Sequence, residues 1–283
     1  MEWVESICEA IDYIEENILE ELTIAEIAKQ VGIPPFYFQK GFSMLCGITV
    51  GEYIRKRRLS LAGQDLMSTD QKIIDLAMQY GYESPDSFTK AFLRFHGVTP
   101  LAVRKEGAMI KNYAPFQICM ERKGGYTMDY KVEEKEAFTV VGFAKTFPYE
   151  KAFTEVLKLW GEFLKKGSTI CGKYGINNDK DMKGNEFEYM IADDFRPGME
   201  IPEGFVTKTI PSHTWAIFPC IGDTKKTIQE TNQKIFQEWL PNEKNYQIAE
   251  GYFIEMYSNP ADFPKGVQDE KYYCEVWIPV QKK

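Results

Sequence analysis

The chain has 283 residues, enough for roughly two domains at the usual ~100–200 residues each. With 44 % hydrophobic and 27 % charged residues it reads as a water-soluble globular protein, and no apolar run approaches the ~20 residues of a membrane span. The net charge of −8 argues against a nucleic-acid partner only until its distribution is considered.

The first residues, Met1-Glu2-Trp3-Val4-Glu5, lack the basic and apolar segments of a secretory signal, which points to the cytoplasm. Residues 1–28 hold no Lys or Arg and many acids. Trp3, Ile7, Ile11, Ile14 and Ile18 recur at helical spacing, so this stretch reads as an amphipathic helix with its apolar stripe in the core. Basic residues then return between Lys29 and Lys105, among them Lys40, Arg55, Lys56, Arg57, Arg58, Lys90, Arg94 and Arg104. A local basic surface matters more for phosphate contact than the total charge.

Two units of about fifty residues repeat in this region. Ile27-Ala28-Lys29-Gln30-Val31-Gly32 matches Leu76-Ala77-Met78-Gln79-Tyr80-Gly81. Phe38-Gln39-Lys40-Gly41-Phe42 matches Phe88-Thr89-Lys90-Ala91-Phe92, and Cys46-Gly47-Ile48-Thr49 matches His96-Gly97-Val98-Thr99. Each unit reads as helix, glycine turn, helix. Thr23-Ile24-Ala25-Glu26 is a capping box. Gly32 and Gly81 supply the left-handed turn, and Pro35 and Pro85 suit a first helical position, with Ser84 as N-cap. A helix over 51–66 joins the two units.

A helix, a short glycine turn and a second helix form the unit that inserts its second helix into the major groove. These residues, above all Ala77-Met78-Gln79-Tyr80-Gly81-Tyr82-Glu83-Ser84, Phe88-Thr89-Lys90-Ala91-Phe92 and Phe95-His96-Gly97-Val98-Thr99-Pro100, resemble the AraC/XylS family over about residues 5–105. The resemblance implies a transcription regulator on double-stranded DNA, with bases and phosphates met by the outward faces of 35–41 and 85–94. Phe36, Gln39 and Lys40 are then expected at DNA in the first copy, and Asp86, Ser87, Thr89 and Lys90 in the second. Gln39 suits adenine, and either Lys suits guanine or phosphate. Arg55, Arg57 and Arg94 are expected as phosphate clamps. Asp86 either accepts from cytosine or serves the helix N-terminus. The first copy departs from the family in Pro34-Pro35 and Phe36-Tyr37, where polar residues are common.

Residues 1–106 thus form an all-α double helix-turn-helix domain, 107–115 a linker, and 116–283 a second domain. Segments 116–121 and 128–132 are expected to flank a hairpin turn at 122–125. Strands are expected over 138–147, 186–192, 214–221, 252–257 and 272–280. Helices are expected over 150–166, with Phe153, Val156, Leu157, Trp160 and Leu164 inward, and over 224–240, with Ile228, Ile235 and Trp239 inward. Two rounds of strand, helix, strand, strand suggest an α+β domain, a curved antiparallel sheet with helices on one face and a groove on the other.

Met128-Asp129-Tyr130-Lys131-Val132, Phe138-Thr139-Val140-Val141-Gly142 and Tyr273-Cys274-Glu275-Val276-Trp277-Ile278-Pro279-Val280 resemble the GyrI-like effector-binding domain over roughly 112–283. Alternation along a strand groups Phe253, Glu255 and Tyr257, and likewise Tyr273, Glu275 and Trp277. A carboxylate between aromatic rings suits a lipophilic cation, and the resembling family uses glutamates in this way. Tyr189, Trp215 and Phe218 are expected as further walls, with Trp160 as wall or core. The implied partners are DNA, a small-molecule effector and RNA polymerase. A GyrI-like hydrolase with Glu255 or Glu275 as general base, and a protein-docking domain, are the alternatives. Six single cysteines and two histidines give no metal-ligand spacing, so neither metal nor cofactor is expected.

Overall fold

The computed structural model describes residues 2–118, 127–167, 169–179 and 185–283, without the side chains of Glu2, Glu106 and Phe153. The expected hairpin turn at 122–125 lies outside the described residues, as does the side chain of Phe153.

Residues 2–106 fold as helices α1 Glu2–Glu16, α2 Ile24–Gln30, α3 Pro35–Cys46, α4 Val50–Ser68, α5 Ile73–Gln79, α6 Pro85–His96 and α7 Pro100–Glu106. The local chemistry explains the boundaries. Thr23 Oγ1 accepts from the Glu26 N–H at 3.2 Å while Glu26 Oε2 accepts from the Thr23 N–H at 3.0 Å, which starts α2. Gly32 (φ 67°) and Gly81 (φ 79°) make the turns in a region costly for residues with a Cβ. Ser84 caps α6 through the Ser87 N–H at 3.2 Å, with Pro85 at the first helical position.

The two helix-turn-helix units differ in what they are built into. The second packs a core of its own from Leu59, Ala62, Leu66, Leu76, Ala77, Phe88, Phe92 and Val103. The first, with the buried α1 stripe Trp3, Ile7, Ile11, Ile14 and Ile18, is continuous with the core of the sheet domain. The 107–115 segment carries no regular element yet is held along α4. His96 is buried and takes both a Leu59 carbonyl on Nε2 (2.9 Å) and the Lys111 N–H on Nδ1 (3.0 Å). Accepting at Nδ1 requires the neutral Nε2–H form, and burial correspondingly lowers its pKa. Ser60 Oγ accepts from the Tyr113 N–H at 2.8 Å, and Phe116 stacks on Tyr53 at 5.0 Å.

The second domain contains β1 Lys131–Lys135, β2 Phe138–Pro148, α8 Ala152–Lys165, β3 Tyr174–Asn178, β4 Glu186–Asp194, β5 Val206–Ile210, β6 His213–Ile221, α9 Thr224–Lys234, β7 Tyr246–Ile248, β8 Tyr252–Tyr257 and β9 Tyr273–Lys282. The antiparallel sheet runs β1-β6-β9-β8-β3-β4-β2-β5, with β7 also on β9. β2-α8-β3-β4 and β6-α9-β8-β9 follow the expected order of strand, helix, strand, strand, the first of them through a strand, β3, that was not located in advance. β3, β5 and β7 were not anticipated, and the described residues 116–118 form no strand. β1 pairs with β6 (Val132 opposite Ala216).

The inward face of α8 is also shifted. Leu159 and Phe163 are buried, whereas Leu157 is 58 % and Leu164 69 % exposed. Residues 156/159/160/163 and 153/157/160/164 both satisfy helical periodicity and share Trp160, so spacing alone does not choose between them. α9 continues through a π-helical turn, Ile235–Trp239, that buries Phe236 and Trp239.

The expected open groove opposite the helices is closed. That face of the sheet curls upon itself: Phe138 of β2 and Trp277 of β9 come within 6.4 Å although β8, β3 and β4 lie between their strands. Trp215, Tyr174, Tyr252, Met190 and Trp277 fill the interior.

Candidate functional site

α6 keeps its aromatic residues inward and most of its polar residues outward. Phe88 and Phe92 are buried, Asp86, Ser87, Lys90 and Arg94 are exposed and Thr89 is half-buried. The side-chain cap belongs to Ser84, and Asp86 sits in the first turn of α6, where its charge is favourable. Arg55 is exposed on α4. Arg57 is not: its guanidinium pairs with Glu15 (Nη2–Oε2 2.6 Å, Nε–Oε1 2.8 Å) and also donates to the Tyr113 carbonyl. It ties α4 to α1 and the linker, a placement that corrects its expected position at phosphate.

α3, the corresponding helix of the first unit, faces the sheet domain instead of solvent. The Phe36 N–H donates to Asp179 Oδ2, and the Tyr37 hydroxyl donates to the Tyr252 carbonyl at 2.5 Å. The Phe36 ring lies 5.2 Å from Phe253 and 6.1 Å from Phe187. Gln39 is 8 % exposed. The Lys40 ammonium stands 3.6 Å from the Phe253 ring centroid, with Phe36 at 5.3 Å and Phe236 at 5.7 Å. Gly41 lets Trp3 of α1 lie across α3, because a Cβ there would be 2.2 Å from the Trp3 ring. Gln39 is thus buried in this conformation, and Phe36 and Lys40 are half-buried against the sheet domain. The aromatic Phe36-Tyr37 pair, unusual for the resembling family, is what docks.

The helix-bearing face of the sheet carries Phe253, Glu255 and Tyr257 on β8. Tyr257 donates to Glu255 Oε2 at 2.7 Å, and Trp160 Nε1 donates to the Tyr189 hydroxyl at 3.0 Å. The Trp160 and Tyr257 rings meet edge to face at 5.6 Å. Gly175, directly opposite Glu255 on β3, lets Tyr189 cross: a Cβ at 175 would lie 2.3 Å from the Tyr189 hydroxyl and 3.6 Å from Glu255 Oε2. Burial, and then the nearby Glu255 charge, push Tyr189 and Tyr257 well above the usual phenol range, so both stay protonated donors. Burial pulls the Lys40 ammonium down to about 8, against the opposing pull of Glu255.

The two glutamates do not share a site. Glu255 lies opposite Val276 in the β8–β9 register, so Glu275, one residue before Val276, faces the other way. Glu275 is 7 % exposed and accepts from the Tyr273 hydroxyl and the Trp277 indole, both at 2.6 Å. Both its oxygens are occupied within the curled interior, with Trp277 6.0 Å from Trp215. Glu275, Tyr273, Trp277 and Trp215 therefore leave the expected pocket. Phe218 shares the face of Glu255 but is covered by Trp239 (4.9 Å) and Tyr130 (5.5 Å). Glu255, Tyr189, Phe253 and Tyr257 remain, joined by Trp160 and, from the first domain, by Phe36 and Lys40. A surface hollow of about 280 Å³ lies elsewhere, at His213, Glu250 and Gln281. Asp179 and Gly175 escaped sequence reasoning: a lone Asp and a lone Gly carry no spacing signal.

Known proteins match both halves. Residues 131–280 match the family model of the integron-associated effector binding protein, and 27–106 match a helix-turn-helix domain model. The Right origin-binding protein of Escherichia coli K12 is 24 % identical over 95 % of this chain and 96 % of its own length. The regulatory protein SoxS of Salmonella typhimurium is 41 % identical over 32 % of this chain and 84 % of its own. An integron cassette protein of Vibrio cholerae aligns with a TM-score of 0.40 at 16 % identity, covering 54 % of this chain and 95 % of that one. The chain belongs to the AraC-type helix-turn-helix transcription regulators, DNA-binding proteins here joined to a GyrI-like, integron-associated effector-binding domain.

Proposed function

We propose that the second domain senses a lipophilic cation at Glu255, Tyr257, Tyr189, Trp160 and Phe253, and thereby changes how the helical domain binds DNA. The observation that carries this reading is that the site already holds a cation. An ammonium sits 3.6 Å over the Phe253 ring, and Glu255 is the charge that acts on it. An aromatic wall with one carboxylate selects charge by Coulomb attraction while the rings bury an apolar body. No catalytic step is assigned to the domain; a sensor needs only differential affinity for two states.

Fluorescence titration of the full chain with tetraphenylphosphonium tests this. Glu255→Gln is expected to weaken binding by about tenfold or more, while Glu275→Gln, whose carboxylate is turned away, changes it by less than about twofold. Equal affinity of Glu255→Gln and the wild type would sink the reading.

On the nucleic-acid side, α6 is the reader in this conformation. Lys90→Ala and Arg94→Ala are each expected to cost about 1–3 kcal/mol of DNA affinity. Salt-dependent binding sorts their roles: a phosphate contact lowers the log–log salt slope by about 0.9, and a base contact leaves it nearly unchanged.

A further inference from the structure

The helix that should read DNA in the first unit is buried against the domain that should read the effector. Its N-terminal half is held there by a hydrogen bond to a buried carboxylate and by an ammonium seated on an aromatic ring. Asp179 accepts from the Phe36 N–H in the first turn of α3, where a helix offers unpaired N–H groups to an anion. The Lys40 ammonium, one turn further along the same helix, is stacked 3.6 Å over Phe253, and Glu255 stands two residues on along the same face of β8. Around them Phe36 meets Phe187 and Phe253, and Tyr37 meets Phe253 and Phe236. Gln237 Nε2 holds the far end of α3 through the Met44 carbonyl at 2.8 Å.

We propose that α3 is the sensor domain's own ligand: Lys40 takes the cation seat on Phe253 beside Glu255, and a lipophilic cation entering that seat releases α3 toward DNA. This regulation rests on the cation-sensing reading above. Its logic is exclusion. The outward face of α3 cannot lie in a major groove while Phe36 and Lys40 pack on the sheet domain and Gln39 is buried. One carboxylate cannot fully serve two cations in one seat. Effector binding and the docking of α3 therefore compete, and α6, which lies outside the contact, stays available in both states. The effector thus shifts the chain from one exposed reading helix to two.

Tetraphenylphosphonium titration of the full-length wild type, Lys40→Gln and Asp179→Asn forms tests this, with hydrogen exchange of α3 and α6 amides read at each end point. Removing the internal cation is expected to tighten tetraphenylphosphonium binding by about tenfold. Asp179→Asn, which touches no part of the cation seat and takes a buried charge off the docked state, is expected to weaken it near neutral pH by holding α3 in place. Saturating cation is expected to speed exchange across α3 by about tenfold or more and leave α6 unchanged. Binding by the wild type with no gain in Lys40→Gln, or α3 exchange unmoved by cation, would overturn the competition and leave the sensor intact. Lost binding in Lys40→Gln would overturn it too, by making Lys40 part of the receptor. Binding by none of the three forms would remove the sensor reading itself, and this regulation with it.

Discussion

Arg57→Ala is expected to cost about 3–5 kcal/mol of folding stability, the usual penalty for removing one partner of an ion pair withdrawn from water. The Arg57 side chain is 8 % exposed and that of Glu15 20 %. Glu15 also accepts from the Tyr53 hydroxyl at 2.7 Å, so the carboxylate is held in place and cannot swing out to water cheaply. The loss would reach beyond the pair, because the same guanidinium donates to the Tyr113 carbonyl and so holds the linker against α4. Urea denaturation of the two forms measures this; a difference under about 1 kcal/mol would mean that the pair is no stronger than a surface bridge. DNA binding supplies an independent check at a temperature where both forms are folded. An unchanged salt slope agrees with an interior Arg57, whereas a slope reduced by about 0.9 would return it to the phosphate backbone.

Arg57 also marks a boundary of what the sequence discloses. The capping box, the glycine turns, the α1 stripe and the buried Phe88 and Phe92 were legible because each depends on local spacing. The repeat made the pair of helix-turn-helix units legible for the same reason. A basic run such as Arg55-Lys56-Arg57-Arg58 is different: which member points inward depends on the partner across the fold. Here Arg55 faces solvent, Arg57 meets Glu15, and Arg58 donates to the Ile18 carbonyl at 2.7 Å and the Glu20 carbonyl at 2.6 Å.

The effector site shows the same division. Alternation correctly grouped Phe253 with Glu255 and Tyr257, and Tyr273 with Glu275 and Trp277. Alternation says nothing about which face of β8 matches which face of β9. Register decides that, and it sends Glu255 and Glu275 to opposite sides. Docking of α3 was written only as an anomaly, in aromatic residues where a DNA-reading helix is usually polar. Its partners Asp179, Phe187 and Phe253 lie some 140 to 220 positions away in the chain, and no local pattern joins them.

Asp179 carries the second large effect, and it bears on why the docked helix is free to leave. Burial pushes its carboxyl from the ordinary 3.8 up to about 6; the Phe36 N–H and the Tyr149 hydroxyl (3.1 Å) pull it back only in part. Its second oxygen, Oδ1, is buried and finds no hydrogen-bond partner among the described residues. The facing groups on α3 and at Tyr149 are neutral donors, so no counter-ion among the described residues offsets the desolvation of the charge. A pKa raised on folding means that the native state holds this proton more tightly than the unfolded chain does. Its stabilising contribution is complete below about pH 4 and is lost as pH rises through about 6, a change of about 3 kcal/mol for a shift of two units. Asp179→Asn keeps the shape and cannot ionise. Its stability relative to the wild type is therefore expected to rise by about 3 kcal/mol between pH 4 and pH 7 and then level off. Denaturant titrations at half-unit intervals measure this, and a difference flat across pH 4–7 would show that Asp179 is solvated like an ordinary surface acid. Because the strained carboxylate sits on the first turn of α3, the cost falls on the docked state. Near neutral pH the contact that hides the helix is held by packing and opposed by charge, so a ligand of modest affinity for the Glu255 seat suffices to tip it open.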